Sequence, residues 1–202
     1  AVGFRGPGFS LSADTLDVLA SLGYRYDATT FPNALNPVGR FYYLRTSNLS
    51  DEEKEKRKAL FGTMKDAFRS NRPYRWMLTG GASMVEVPVT TMPLFRVPIH
   101  FSYLLYLGGK SSALARLYWR MALAMCRVAG TTPSLLLHPL DFLGSDDEPD
   151  LGFFPGMSIE AKHKLDLMAQ FLDMWQQQYT TVPIGSYIDG LQELKTKQPD
   201  DL

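Results

Sequence analysis

The feature that most constrains this chain is its first thirty residues, which read as a strand, a helix and a second strand in immediate succession. Ala1–Phe4 has the look of a strand end, broken by Gly6-Pro7-Gly8. Ser12 suits a helix N-cap, because its hydroxyl can accept from a backbone N–H of the first turn. Leu11 and Leu16 stand where a hydrophobic staple needs them. Leu16, Leu19 and Ala20 make the apolar stripe, and Gly23 suits the left-handed position after the last turn. Tyr24–Thr29 is the next apolar-aromatic strand. Two strands joined by a helix pair in parallel, so the unit predicts an α/β chain with crossover helices.

The remainder carries the same alternation less cleanly. Residues 31–49 are rich in Pro, Asn, Gly and aromatics and read as a long loop. Ser50 with Glu53 forms a capping-box pattern that opens a charged helix, with Leu60, Phe61, Met64 and Phe68 as its apolar face, ending near Pro73. Gly80-Gly81 is a turn. Val85–Thr91 alternates like a strand, with Pro88 favouring an edge or a bulge. Ile99–Leu107 is apolar and aromatic, and Ser111 or Ser112 starts a helix that stops at Gly130. Ser134–Leu137 reads as a short buried strand ending at His138-Pro139, and 141–155 as an acidic loop. Ser158 is expected to cap a long helix reaching about Tyr179. Thr180–Ile184 reads as a last strand, Ser186 as the start of a short helix, and the tail from Thr196 as frayed. About four core strands are too few to close a barrel, yet the pattern is barrel-like.

Composition excludes more than it selects. The chain has 202 residues, enough for one domain, and the formal net charge is zero. Zero net charge, with no nucleic-acid-binding motif, argues against a nucleic-acid partner. No apolar run approaches the length of a membrane span, and nothing reads as a signal peptide. The compartment stays open, with soluble or peripheral to a membrane as the expectation. The single Cys126 rules out an internal disulfide.

Three positions could carry chemistry. Arg5, in Arg5-Gly6-Pro7-Gly8, lies at a strand end, where α/β folds build their sites. Its planar cation suits a carboxylate, although an arginine in a surface turn has the same sequence. His138 ends an apolar run, where a general acid or base could sit, or a histidine satisfied within the core. Asp27 lies at a second strand end, where a buried carboxylate needs a partner. His163 sits between two lysines on a charged helix and should face solvent. The Asp146-Asp147-Glu148 run reads as a solvated loop, without the alternating ligands of a calcium loop.

Taken together, Gly3-Phe4-Arg5-Gly6-Pro7-Gly8-Phe9-Ser10-Leu11 and Leu19–Asp27 resemble two conserved stretches of the NodB-type polysaccharide deacetylases. Ser134–Pro139 is similar to the family's final Leu-x-x-His stretch. Val85–Pro88 and Pro183–Leu191 look like its later strand and its closing strand and helix. The resemblance implies a single domain over 1–202, the C-terminal portion of a distorted (β/α) barrel with an insertion at about 33–82. It implies a metal-dependent hydrolase that removes an N-acyl group, acetyl or formyl, from an amino sugar in a polysaccharide or on a lipid carrier. By that resemblance, His138 would protonate the leaving amine, Arg5 would orient a base aspartate, and Asp27 would pair with His138. Pro7 and Gly8 would line the substrate groove. His100, read by itself, either lines that groove too or holds a loop or helix-surface position. Arg5, Asp27 and His138 should then converge at one end of the sheet.

The chain also departs from the family. The family's usual tryptophan after Asp27 is absent. The family's metal, usually zinc, is held by an Asp-Asp pair and a His-x-x-x-His pair upstream of the arginine motif; no Asp-Asp pair precedes Arg5 in this sequence, and no His-x-x-x-His occurs in it. No metal ligands are therefore assigned, and this chain alone is expected to be inactive and to need an upstream part of the same polypeptide. The alternative is a non-catalytic carbohydrate- or lipid-binding module on the same fold. An Asp-Asp strand end and a His-x-x-x-His helix encoded upstream of Ala1 would favour the enzyme. Residues 99–128, with Tyr103, Tyr106, Tyr118 and Trp119 among Arg116, Arg120 and Arg127, read either as a wall-packed helix or as peripheral membrane contact for a lipid-linked sugar.

Overall fold

The computed structural model describes residues 1–35, 67–152, 154 and 156–199. The helix expected from Ser50, with Leu60, Phe61 and Met64, lies outside the described residues. Phe68, from its expected apolar face, is exposed. The described chain is mixed α/β, with a five-stranded, mostly parallel sheet and five α-helices. It divides into two compact units. The first comprises Ala1–Val89, Phe95–Val97 and Val182–Leu202, and the second Thr90–Leu94 and Pro98–Thr181.

The first unit holds the sheet. β1 (Gly3–Phe4), β2 (Tyr26–Asp27), β3 (Tyr74–Met77), β4 (Ser83–Glu86) and β5 (Thr196–Lys197) lie in the order β1-β2-β4-β3-β5. Every pairing is parallel except β3 with β4, which are antiparallel neighbours joined by the turn at Thr79–Gly81. The opening unit forms as its residues dictate. Ser12 caps α1 (Ala13–Ser21) by accepting from the Thr15 N–H, and Gly23 follows at φ 80°. Leu16 and Leu19 are buried with Tyr74, Trp76, Leu78 and Met84, and Leu11 packs against that cluster as the staple requires.

Two elements of this unit differ from the sequence expectation. β3 lies inside the stretch read as an insertion. The tail read as frayed supplies β5, which pairs with β3 at Arg75↔Thr196 and Trp76↔Lys197. Thr180–Ile184 is not a strand. Pro183 instead leads α5 (Ile184–Asp189), with its carbonyl accepting from Tyr187 N.

The second unit is helical. It contains α2 (Phe101–Lys110), α3 (Ser112–Val128) and α4 (Ala161–Gln176). Ser111 caps α3 by accepting from Leu114 N–H, and Gly130 follows at φ 60°. Trp119 centres the core, edge-on to Phe101 and Phe171 and stacked on Trp175 at 6.1 Å. Its indole N–H donates to the Phe171 carbonyl at 2.9 Å, so the ring is buried with its one donor satisfied.

Ser134–Leu137 forms no strand. Ser134 and Thr90 bond through their hydroxyls, and the Leu136 carbonyl accepts from Phe101 N, so isolated bonds replace a ladder. α4 begins at Ala161, not Ser158, because its cap comes from elsewhere. The Asp146 carboxylate accepts the Ala161 N–H at 2.8 Å across the loop.

Candidate functional site

Arg5 and Asp27 end β1 and β2, and the sheet register lines up Phe4, Asp27, Glu86 and Tyr74 as neighbours across four strands. Asp27 and Glu86 are completely buried. Asp27 accepts from the Thr29 backbone N–H at 2.9 Å and from its hydroxyl at 2.7 Å. Glu86 accepts from Thr30 N–H at 2.9 Å and from the Trp76 indole at 3.0 Å. The two carboxyls also share a hydrogen bond, which requires a proton on one of them. Glu86 is the group pushed well above its usual range, by burial first and by Asp27 next.

Arg5 stands beside this pair. Its Nε donates to the Ala28 carbonyl at 2.8 Å. Burial lowers its pKa, and the charges of Asp27 and Glu86 oppose that shift. Tyr74 shares a 3.2 Å hydrogen bond with the Thr30 hydroxyl, and its phenol is pushed up by burial and then by Glu86.

The following turn is tightly made. Gly6 N–H donates to Thr29 Oγ1 at 2.7 Å, and a Cβ on Gly6 would stand 2.1 Å from the Ser10 carbonyl oxygen. Only glycine fits there. Pro7 and Gly8 project from the turn, both exposed.

The second unit carries the histidines. His138 Nδ1 is 2.9 Å from Ser102 Oγ and 3.9 Å from Asp141 Oδ2. Asp141 is buried and also accepts the His138 backbone N–H at 2.7 Å. Behind it, buried Lys164 donates to the carbonyls of Leu140 and Leu143, pinning the loop that follows His138. The His138 side chain is 43% exposed, and its Nε2 makes no hydrogen bond among the described residues.

His100, at the N-cap of α2, packs its ring 5.7 Å from His138 and edge-on to Tyr103. Burial, aided by His138, pushes His100 down to about 3, so it is neutral at physiological pH. His163 is exposed, as its lysine neighbours suggest, and Cys126 is buried and free.

The structure therefore brings Arg5 to Asp27, and His100 to His138. The described hydrogen bonds of Asp27 are to Thr29 and Glu86, and those of His138 are to Ser102 and Asp141. Glu86, Ser102 and Asp141 escaped the sequence reading. Ser102, His138 and Asp141 do not make a nucleophilic triad. In a triad the hydroxyl and the carboxylate engage opposite ring nitrogens, whereas here both face Nδ1.

Among the described residues no group of three or more His, Cys, Asp or Glu could hold a metal. A catalytic zinc takes three protein ligands. The only close carboxyl pair described above, Asp27 with Glu86, is engaged by Thr29, Thr30 and Trp76. The described residues do not fit the zinc that the resemblance implies. No family model matches the chain, and no curated protein and no solved structure matches it either.

Proposed function

We propose that this chain carries the proton-delivering side of a hydrolase that removes an N-acyl group, acetyl or formyl, from an amino sugar in a polysaccharide or a lipid-linked saccharide. The proposed fold is a partial, distorted (β/α) barrel of the NodB deacetylase type. The observation that carries the proposal is the setting of His138. One ring nitrogen is anchored by Ser102 beside Asp141, and the other is open on a partly exposed side chain.

That is the arrangement a general acid needs. In the reaction, a water oxygen bonds to the acyl carbon, the carbon–nitrogen bond breaks, and the departing amine takes a proton from His138 Nε2. Ser102 and Asp141 hold the ring's orientation from the Nδ1 side and the backbone. Activation of the water belongs to groups that the described residues do not supply.

In the proposal Arg5 and Asp27 frame the sheet-end turn that carries Pro7 and Gly8. His100 stands beside His138 by ring contact and enters the proposal as a substrate contact. The test uses the full-length polypeptide and an oligosaccharide of N-acetylglucosamine, with acetate release as the readout. His138→Ala should lower turnover by roughly 10²–10⁴-fold while oligosaccharide binding is retained. Unchanged turnover would remove His138 from the chemistry. Binding without turnover by the unsubstituted protein would favour a carbohydrate-binding module.

A further inference from the structure

α3 is apolar on two opposite faces. Ala115, Trp119, Ala122, Leu123 and Cys126 are buried. At 100° per residue, Leu114, Leu117, Met121, Ala124 and Val128 fall in a second stripe, across the helix from the first. All five are exposed, with Leu117 at 53% and Val128 at 89%. An apolar stripe of that length on a helix whose core face is already filled calls for a second partner.

The charges around it define that partner. From residue 87 to residue 140 the chain contains no Asp or Glu, although its acids and bases balance overall. The same stretch holds Arg96, Lys110, Arg116, Arg120 and Arg127. By helix geometry Arg116, Arg120 and Arg127 line one edge of the apolar stripe, and the last two are exposed. Exposed Tyr103 and Tyr106 lie on the preceding helix, α2, with Lys110 at its last turn. The acids of this unit are confined to residues 141–150, to Glu160 and to α4, where Asp166 is taken by Lys162.

We propose that the α2–α3 face docks on an anionic lipid surface, with the Leu114–Val128 stripe entering the headgroup boundary and Arg120 and Arg127 reaching lipid phosphates. Long basic side chains with apolar stems flank such stripes and extend their charge to the interface. Tyrosine, with an apolar body and a polar tip, suits the same depth. A second copy is the weaker occupant, since it would set one acid-free basic surface against another. The inference goes beyond the hydrolase reading and needs no turnover to be tested.

The test is co-sedimentation of the full-length protein with phosphatidylcholine vesicles, with and without about one-third phosphatidylserine. Binding should require phosphatidylserine and fall steeply between 0.05 and 0.5 M salt, as roughly tenfold higher ionic strength shortens the screening length. Arg120→Gln with Arg127→Gln should weaken partition roughly thirtyfold, from about 1 kcal/mol per basic residue near such a surface. Leu117→Gln with Met121→Gln should abolish binding while the circular dichroism spectrum is unchanged. Equal binding to both vesicle types, or full binding by either double variant, would overturn the proposal. So would a dimer in light scattering that Leu117→Gln with Met121→Gln converts to monomer, because a second copy would then cover the face.

Discussion

The carboxyl cluster of the sheet and the histidine cluster of the helical unit are built from the same ingredients to opposite effect. Asp27 and Glu86 are sealed from water, and each carboxyl is bonded to a backbone N–H as well as a side chain. His138 is held on one side only, and its second nitrogen is open. A fully satisfied buried network fixes strands in register and has nothing left to offer a ligand. A half-anchored, half-exposed imidazole has a defined orientation and a free proton site. The contrast suits the sheet cluster to architecture and leaves His138 as the group that the proposed chemistry uses.

The contrast breaks most visibly at Glu86. Glu86→Ala leaves the Trp76 indole and the Thr30 N–H without their acceptor, at about 1–3 kcal/mol for each buried donor. Urea unfolding should show a loss of about 4 kcal/mol. Glu86→Gln fills the same volume and keeps one acceptor but turns its amide toward the other donor, so it should cost about 1–3 kcal/mol, less than the alanine variant. Equal losses in the two variants would mean that the two carboxyl acceptors, and not the side-chain volume, decide stability at this position.

The two clusters should also respond to pH with opposite signs. Glu86 has its pKa raised in the folded state, so the folded chain binds the extra proton. Its contribution is complete below the unfolded carboxyl value and is lost as pH rises through the folded value. His100 is lowered from 6.5 to about 3, so the unfolded chain binds the extra proton. Its contribution is complete above 6.5 and is lost as pH falls toward 3, at up to about 1.4 kcal/mol per pH unit. Urea midpoints measured against pH should lose the alkaline slope in Glu86→Gln and the acidic slope in His100→Gln. A slope that survives its own substitution would place the titrating group elsewhere.

The smallest effects distinguish a local cap from a distant one. Ser12→Ala and Asp146→Ala should each cost about 1 kcal/mol. Hydrogen exchange should open the first turn of α1 in the former and of α4 in the latter. A silent Asp146→Ala would return the start of α4 to its own sequence.

What was legible in the sequence was local. Ser12, Gly23, Ser111 and Gly130 mark helix ends through their own backbone geometry, and α1 and α3 begin and stop where those residues stand. What was not legible depended on distant partners. β5 is a Thr-Lys pair that becomes a strand only because β3 offers an edge, and α4 starts where Asp146 reaches it. Glu86 was hidden by its alternating context, which reads as a strand with one wet face. β4 is an inner strand with Met84, Val85 and Glu86 all buried, so alternation there does not sort polar from core. Arg5, Asp27 and His138 were singled out by strand ends and residue chemistry, whereas Ser102 and Asp141 gain meaning only from their distance to His138.

The central claim is that His138 donates a proton to a departing amine, and a comparison of leaving groups tests it most directly. In the full-length polypeptide, turnover of an N-acetyl amino sugar and of an activated aryl acetate would be measured for the unsubstituted protein and for His138→Gln. The amine leaves only with a proton, while the aryl oxide leaves without one, so the amide should lose roughly 10²–10⁴-fold and the ester much less. An equal loss on both substrates would contradict the claim and make His138 a positioning residue.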